Sequence, residues 1–454
     1  SMEKGKVILF YPGHEGIKRS YHWFPFPFLY LSPFLEKSGY EVIIIDARVE
    51  DSWKTLLKNS LTDALCLGIT AMTGRDIKDG IEAARICREN SPHIHIIWGG
   101  PHATALPEQT AESQYVDIVV EGQGEEVMTE IVNRLYNRRD IYDIPGIAFK
   151  KDGDIYKNKV STQIPFDYDI FPAYNLVNTE KYRSHNNIVS CFASRGCPFN
   201  CTFCTTGDKG YSLRRLDQVK MELLFLVNDL QFKNIFFQDG TYFVNKTKVM
   251  ELAKWFIESG LNIKWKAKAR ANLFKDYSDN EISLLKESGL VSVFFGLESG
   301  SPRVLKNMHK NIKPEDAIKS AVICRNYDIE FYVSFMFATP YETLDDMWDN
   351  INLIRKLKEV NPNTQVQNCI YVPLSDTPMF DQAVECGYVP PKNLEEWVNL
   401  RISSRFEERD DITWIQSDVL IEYAKIYNDE FGDYKHLTEK EESGEYISIF
   451  KKSS

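Results

Sequence analysis

Two series of short apolar segments that alternate with helical segments constrain the fold of this 454-residue chain more than any other feature. In the first series the apolar residues run on without regular polar interruptions, which is typical of strands covered on both faces. These segments lie at 7–11, 42–46, 65–70, 94–98 and 117–120. Helical periodicity follows several of them, most clearly over 28–38 and 76–90. The alternation predicts an α/β domain over residues 1–145, with a doubly wound, Rossmann-like parallel sheet.

The second series predicts a partial (β/α)6 barrel over residues 188–385. Its strands are predicted at 188–192, 234–239, 264–269, 291–296, 330–337 and 365–371, and its clearest helices at 283–288 and 347–356. Residues 146–187 are irregular and are predicted to be a linker, with a hairpin turn at Asp152-Gly153. After residue 385 the pattern breaks up, so residues 386–454 are predicted to be a small α-rich substrate or cap region.

Charge and hydropathy exclude several functional classes. Lys and Arg total 54 and Asp and Glu total 65, which gives a formal charge of −11 and no global attraction for nucleic acid or anionic membrane. No stretch reaches the ~18 continuous apolar residues of a membrane helix, and the first predicted strand begins too early to leave room for a signal peptide. The sequence therefore predicts a cytoplasmic protein without a nucleic-acid or membrane partner.

Three cysteines, Cys197, Cys201 and Cys204, lie within eight residues directly after the first strand of the second series. Thiolates are soft ligands that favour zinc, copper(I) or iron–sulfur clusters. Structural zinc needs four protein ligands, and the candidates for a fourth, Cys191 and His185, lack finger-like spacing. Three thiolates on a 4Fe-4S cluster would leave one iron open for a substrate. The pattern favours an iron–sulfur cluster over zinc, and zinc over a chance group of cysteines.

The cysteine spacing, the aromatic Phe203 before the last cysteine, the upstream segment 194–196 and the alternating strands downstream resemble the radical S-adenosylmethionine (SAM) superfamily. The resemblance implies that Cys197, Cys201 and Cys204 bind a 4Fe-4S cluster, and that its open iron chelates the amino and carboxylate groups of SAM. It also implies reductive cleavage of SAM to a 5′-deoxyadenosyl radical.

Further SAM contacts are implied by the same resemblance. They are Phe203 near the adenine, Asp239 and Gly240 near the methionine, Arg270 near the carboxylate, and Glu298 and Ser299 near the ribose. The alternative for each is a solvated residue or cap at a strand end. One turn departs from the family pattern, because Ala338 and Tyr341 stand where the family has glycines.

The first domain lacks a Gly-x-Gly-x-x-Gly fingerprint after its first strand and a phosphate-binding loop. Its small-residue turns instead follow strands three, four and five, and they resemble those of the cobalamin-binding domain that precedes the radical SAM domain in one large subfamily. The implied cobalamin contacts are Thr70, Met72, Thr73, Gly99, Gly100, Pro101, His102, Gly122, Gly124 and Glu125. The Asp-x-His-x-x-Gly motif is absent around His14, which implies base-off cobalamin without that histidine, and His102 is interpreted as a hydrogen-bonding loop residue. The alternative is a Rossmann-like scaffold without cobalamin.

Together the two domains imply a cobalamin-dependent radical SAM enzyme. The expected reaction is methyl transfer from methylcobalamin to an unactivated carbon of a small-molecule or natural-product substrate. Rearrangement or cyclisation with the same cofactors is one alternative, and a non-catalytic corrinoid or SAM sensor or scaffold is another. The expected partners are the substrate and an electron donor such as flavodoxin or ferredoxin, and the chain is expected to be a monomer.

Overall fold

The structure is a computed structural model that describes residues 4–13, 23–161, 170–184, 186–207 and 209–432. These residues form two compact units. The first unit takes its described residues from Ser1–Ile164, Asp169–Arg183 and Pro390–Leu400. The second takes its described residues from Ser184–Val389 and from the chain after Arg401.

A seven-stranded sheet forms the centre of the first unit. Its strands are β1 (Lys6–Tyr11), β2 (Glu41–Asp46), β3 (Ala64–Thr70), β4 (His95–Gly99), β5 (Ile118–Val120), β6 (Ile147–Lys151) and β7 (Asp154–Lys157). They are arranged in the order β2-β1-β3-β4-β5-β6-β7, and the pairs among the first five are parallel. The order reverses at β1, so the predicted doubly wound sheet has a switch point there, and ligands bind such sheets at the carboxyl ends of the strands.

In the described residues of this unit, six helices accompany the sheet. They are α1 (Phe26–Lys37), α2 (Trp53–Ser60), α3 (Asp76–Asn90), α4 (Gly100–Ala105), α5 (Pro107–Glu112) and α6 (Glu125–Tyr136). The apolar residues of β1 are 0–1% exposed from Val7 to Phe10, as their uninterrupted pattern predicts.

The linker expected over residues 146–187 belongs in large part to the first unit instead. β6 pairs antiparallel with β5, and β7 turns back on β6 through Asp152 and Gly153, whose φ angles are +53° and +88°. Two 3-10 turns, Tyr174–Leu176 and Thr179–Tyr182, also belong to this unit. The ring of Phe24 lies 5.1 Å from that of Tyr174, so apolar burial holds this segment to the unit.

The second unit contains a six-stranded, all-parallel sheet in the order β15-β14-β13-β12-β11-β8. Its strands are β8 (Ile188–Cys191), β11 (Asn234–Phe237), β12 (Lys264–Ala269), β13 (Leu290–Glu298), β14 (Glu330–Phe337) and β15 (Gln365–Ile370). A separate short antiparallel pair consists of β9 (Ser194–Gly196) and β10 (Tyr211–Leu213). The spatial order follows the chain without reversal, which is the arrangement of a (β/α) barrel that does not close.

Nine helices accompany this sheet within the part of the second unit that the structure describes. They are α7 (Leu216–Leu224), α8 (Lys246–Ser259), α9 (Ala271–Phe274), α10 (Asp279–Glu287), α11 (Pro302–Asn307), α12 (Pro314–Asn326), α13 (Leu344–Val360), α14 (Pro378–Glu385) and α15 (Ser417–Phe431). None of the helices in the described part of the chain combines the length and apolarity needed to cross a membrane.

The region expected to act as one cap, residues 386–454, is divided between the units. Pro390–Leu400 belongs to the first unit, while α15 packs in the second, where the ring of Tyr427 lies 5.2 Å from that of Phe337. Residues 433–454 lie outside the described residues.

Candidate functional site

The three-cysteine loop lies directly after the short strand β9, at the carboxyl end of the second sheet. β9 pairs with β10, so residues 197–210 form a loop closed at its base. Gly196 has a φ of +78°, and a Cβ there would collide with the carbonyl oxygen of Gly210. Only glycine allows this close approach of the two loop ends.

Each cysteine sulfur has a hydrogen-bonding group nearby. Arg270 Nη1 lies 3.4 Å from the Sγ of buried Cys201. The Sγ of Cys197 lies 3.9 Å from Thr241 Oγ1, and that of Cys204 lies 3.0 Å from Thr206 Oγ1. Such groups stabilise negative charge on sulfur, so the loop is suited to thiolate ligands.

The donor set fits a cluster better than zinc. The loop supplies three thiolates, whereas a structural zinc site needs four protein ligands. A cubane cluster binds each thiolate through a different iron, so three suffice to hold it. Burial raises the pKa of Cys191 well above its usual value, so this thiol is a poor fourth ligand. His185 lies outside the described residues.

Asp239 and Gly240, at the end of β11, lie against the cysteine loop. The Asp239 carboxylate accepts hydrogen bonds from the Ala193 amide (3.0 Å) and from the Ser194 hydroxyl, and burial raises its pKa to about 6. A Cβ at Gly240 would lie 3.1 Å from the Gly196 carbonyl oxygen and 3.5 Å from the Cβ of Cys197. Asp239 therefore fixes the chain before β9, and Gly240 lets β11 approach the loop.

Glu298, at the end of β13, has a left-handed backbone with φ +70°. A non-glycine residue with such a φ is strained, and strain of this kind concentrates at functional sites. Its Oε1 accepts from the Ser334 hydroxyl at 3.3 Å and lies 3.9 Å from Lys310 Nζ. Lys310 Nζ in turn lies 5.6 Å from the ring centroid of Phe203, so Glu298 is joined to the cysteine loop through one cation.

Arg270 and Ser299 are both buried, and each forms hydrogen bonds within the protein. Besides Cys201, Arg270 donates to the Lys310 carbonyl oxygen and its guanidinium lies 3.9 Å from the ring centroid of Phe199. Ser299 donates to Asn350 Oδ1 at 2.8 Å, which joins β13 to α13. The structure thus gives Arg270 contacts with the cysteine loop and Ser299 a contact with a helix.

The backbone angles of the turn after β14 show why glycines would suit this turn. Ala338 and Tyr341 have φ angles of +59° and +66°, in the left-handed region. The turn is held by buried Glu342, which accepts hydrogen bonds from Tyr423 Oη (2.6 Å) and from the Thr339 amide (2.7 Å). Burial raises the pKa of Glu342 to about 7.

The predicted cobalamin contacts of the first unit meet at the carboxyl ends of β3, β4 and β5. A Cβ at Gly100 would collide with Thr70 Oγ1, and the Gly122 amide donates to Thr104 Oγ1 at 3.0 Å. Gly122 has φ +83° and no atom within 4 Å of an added Cβ, and Met72 is 55% exposed. This edge combines tight backbone approach with open space, which suits a bulky ligand. The other predicted contacts at this edge are Gly99, Pro101, Gly124 and buried Glu125.

His102 is fully buried and belongs to the hydrogen bonding of these turns. Its Nδ1 lies 3.0 Å from Thr73 Oγ1, while its Nε2 has no partner within the described part of the chain. Burial lowers its pKa to about 4. Trp397 packs on it with 5.6 Å between ring centroids, and Trp397 Nε1 donates to Gln109 Oε1 at 2.7 Å. The structure places His102 in α4 and not in a loop, while its contact with Thr73 agrees with its interpretation as a hydrogen-bonding residue.

Lys310 and Lys268 escaped the sequence analysis, and so did the contact between Trp397 and His102. Lys310 follows α11 in an ordinary polar segment, and Trp397 reaches the first unit from about 300 residues further along the chain. Of these, only Lys268 could have been identified from the sequence, because alternating lysines in a predicted barrel strand place charge on one face of the sheet.

Comparison with known proteins identifies both domains. Residues 192–354 match the family model of the radical SAM superfamily, and residues 16–132 match that of the B12 binding domain. The chain is 30% identical over 343 residues to an uncharacterised methyltransferase, PH0819, of Pyrococcus horikoshii, and the match covers 73% of each protein. It is 24% identical to an anaerobic magnesium-protoporphyrin IX monomethyl ester cyclase of Rubrivivax gelatinosus, over 83% of this chain and 70% of the relative.

Solved structures agree with the fold. The radical SAM methyltransferase TsrM from Kitasatospora setae, with cobalamin and a [4Fe-4S] cluster bound, superposes with a TM-score of 0.70 at 18% identity, over 85% of this chain and 78% of TsrM. The cobalamin-dependent radical enzyme OxsB gives a TM-score of 0.64 at 19% identity, over 77% of this chain and 51% of OxsB. The predicted fold class is confirmed.

The two family matches also confirm the predicted cofactor set of cobalamin, SAM and a 4Fe-4S cluster. The two matches follow the predicted order, with the B12 binding domain before the radical SAM domain. The chain is an enzyme that belongs to the radical SAM superfamily, in the methyltransferase-like group whose members carry a B12 binding domain before the radical SAM domain.

Proposed function

We propose that this enzyme transfers a methyl group from cobalamin to an unactivated carbon of a small-molecule substrate. The observation that carries the proposal is the three-cysteine loop held against Gly240 and Arg270 at the carboxyl end of a parallel sheet, in a chain that also has a B12 binding domain. When bound, the cluster with SAM supplies a 5′-deoxyadenosyl radical and cobalamin supplies the methyl group.

In this proposal the residues of the second unit hold SAM and the cluster. Cys197, Cys201 and Cys204 are the ligands of the cluster. The carboxylate of Glu298 is suited to accept hydrogen bonds from the two ribose hydroxyls, because one carboxylate can accept both. The backbone of Phe203 would lie near the adenine, and Gly240 near the methionine portion.

Arg270 and Asp239 act mainly as positioning residues in this proposal. Arg270 is engaged with Cys201 and with the Lys310 carbonyl, so it holds one ligand of the cluster in place. Both oxygens of Asp239 accept hydrogen bonds at residues 193 and 194, so it orients the chain that leads into the loop.

The first unit holds cobalamin at the ends of β3, β4 and β5. The open turns at Met72 and Gly122 would face the ring and its tail. His102 is fully buried and paired with Thr73, which supports cobalamin binding without a histidine ligand from these turns.

The test uses the full chain, reconstituted anaerobically with iron, sulfide and methylcobalamin and reduced by flavodoxin or ferredoxin. We expect release of 5′-deoxyadenosine, and SAM with a deuterated methyl group should label the product in the turnovers that follow remethylation of cobalamin by a second SAM. A protein that binds both cofactors and releases no 5′-deoxyadenosine would contradict the proposal.

The cyclase relatives support a second candidate, which is radical ring formation or rearrangement with the same cofactors. The same experiment separates the two reactions. Ring formation would release 5′-deoxyadenosine while the methyl label stayed out of the product.

A further inference from the structure

The inner face of the second sheet carries charge where a packed barrel would carry branched apolar residues. Along β12, Trp265 and Ala267 are buried on the outer face, and Trp265 packs on Phe256 of α8. Lys266 and Lys268 alternate with them and are only partly buried, so they face the inside. Barrel interiors are usually filled by Val, Ile and Leu. This inner face is therefore built as a site and not as a core.

The two lysines converge on one aromatic ring. Lys266 Nζ lies 4.5 Å from the ring centroid of Phe236, and Lys268 Nζ lies 5.9 Å from it. Phe236 is paired in register with Lys266 on one side and with Ser190 on the other, so the three side chains share a face. Ser190 is 1% exposed, and its hydroxyl has no hydrogen-bond partner in the described part of the chain.

Within the described ranges Lys268 forms no ion pair with a carboxylate. Asp239 carries the nearby negative charge that acts on it, but both oxygens of Asp239 are engaged at residues 193 and 194. Lys266 differs, because it faces Glu330 at the start of β14, whose Oε1 also accepts from Ser292 at 3.3 Å. A partly buried ammonium without a paired charge is costly unless a ligand supplies the anion.

Next to this cation lies a flat apolar surface. Lys268 is in register with Phe294, and Phe294 with Tyr332, whose rings are 4.9 Å apart. Arg270, two residues further along the chain, lies with its Nη1 3.4 Å from Cys201 Sγ, so Lys268 is at the end of β12 that faces the cysteine loop. The same face thus offers a cation and two adjoining aromatic rings near the site of radical formation.

We infer that the substrate carries an anionic group, a carboxylate or a phosphate, attached to an apolar or aromatic body. Lys268 binds the anion and the Phe294–Tyr332 pair contacts the body. This inference rests on the proposed function in one respect, which is that the molecule bound at Lys268 is taken to be the substrate. The other source of the same chemistry is the carboxylate of SAM, and the experiment distinguishes the two.

The experiment is competitive labelling of lysines with trace acetic anhydride in the anaerobic holoenzyme, read by peptide mass spectrometry. The probes are benzoate and phenyl phosphate, with neutral benzamide as the matched control, each with and without SAM. We expect both anions to lower labelling of Lys268 at least about fivefold in the presence of SAM. Exposed Lys254 on α8 is the internal control and should not respond.

Three results would overturn the inference. The first is that neither anion protects Lys268, and the second is that benzamide protects it as well as the anions do. The third is that SAM alone protects it fully and the probes add nothing, which would assign the ammonium to SAM. The anions should also lower labelling of Lys266, which shares the Phe236 ring with Lys268, and this protection should disappear in Lys268→Gln, with iron content as the check on folding. Labelling needs no turnover, so absence of 5′-deoxyadenosine would count against the proposed function and leave this inference standing.

Discussion

Arg270 donates a hydrogen bond to the sulfur of Cys201, with Nη1 3.4 Å from Sγ, and so brings a positive charge to one predicted ligand of the cluster. The guanidinium is 3% exposed and is fixed further by Phe199 and by the carbonyl of Lys310. Hydrogen bonds to ligand sulfurs set the reduction potential of iron–sulfur clusters.

The first prediction follows from this bond. Arg270→Gln removes the charge beside Cys201, and the reduced cluster, which carries more negative charge, loses more stabilisation than the oxidised one. We expect the potential to fall by about 40 mV, equivalent to ~1 kcal/mol for one electron. Redox titration monitored by electron paramagnetic resonance measures the shift. Exposed Arg401→Gln is the control, and an unchanged potential in Arg270→Gln would contradict the role of this residue.

The second prediction concerns the ligands of the cluster. Alanine at Cys197, Cys201 or Cys204 should abolish binding of iron and sulfide, since each thiolate holds a different iron. Cobalamin binding by the first unit should persist in all three variants. Cys386→Ala, a partly buried cysteine at the end of α14, is the matched control and should keep full iron content. Iron, sulfide and corrinoid assays on purified protein decide the outcome.

The third prediction concerns the base of the cysteine loop. Gly196→Ala places a Cβ against the Gly210 carbonyl oxygen at φ +78°, so the loop cannot close and reconstituted iron should fall sharply. Gly260→Ala is the matched control, because Gly260 has φ +67° and open space around an added Cβ. It carries only the cost of a left-handed alanine, about 1 kcal/mol, and should keep its iron. Equal iron content in the two variants would refute the steric argument.

The fourth prediction tests the strain in the turn after β14. Tyr341 has φ +66° and is 48% exposed, and its hydroxyl donates to Glu385 at 2.9 Å. Tyr341→Gly and Tyr341→Ala both lose this bond, but only glycine relieves the strain. We expect the glycine variant to be more stable than the alanine variant by about 1 kcal/mol. Chemical denaturation of the second unit measures the difference, and an alanine variant of equal stability would show that the turn is unstrained.

The fifth prediction concerns pH and His102. Burial lowers the pKa of His102 from 6.5 to about 4 in the folded protein. Between these values the unfolded chain binds more protons than the folded protein, so stability falls as the pH drops from 6.5 towards 4. The full shift corresponds to at most about 3 kcal/mol.

The measurement is the difference in unfolding free energy between wild type and His102→Gln across pH 4–7. This difference should change with pH as the titration of His102 requires, whereas the exposed His95→Gln variant should track the wild type. A pH-independent difference for His102→Gln would show that the imidazole is not held neutral by burial.

The sequence predicts best those elements whose pattern is local. The predicted strands at 264–269 and 330–337 coincide with β12 and β14, and the predicted helix at 76–90 coincides with α3. Alternation of lysine with apolar residues marked β12, and amphipathic spacing marked α3. The three-residue strands β9 and β10 are too short to show a period, so the closed base of the cysteine loop was not predicted.

The parts that the sequence could not predict depend on contacts between distant residues. The spacing of the three cysteines identified them as candidate ligands, but the bond from Arg270 to Cys201 joins residues 69 positions apart and could not be predicted. Ser299 looked like a ribose contact, yet its hydroxyl bonds Asn350 of α13. Residues 147–157 were predicted to be part of a linker because the buried part of β6 is only three residues long and the edge strand β7 is mostly polar.

The return of Pro390–Leu400 to the first unit makes that unit discontinuous along the chain. During synthesis it cannot be completed until residue 400 has left the ribosome, by which time all six strands of the second sheet have been made. A fragment that ends before Pro390 would leave His102 without its Trp397 cover and Ser113 without its bond to Glu395. Any separately expressed B12-binding half of this enzyme therefore needs the eleven-residue segment supplied by fusion or as a peptide.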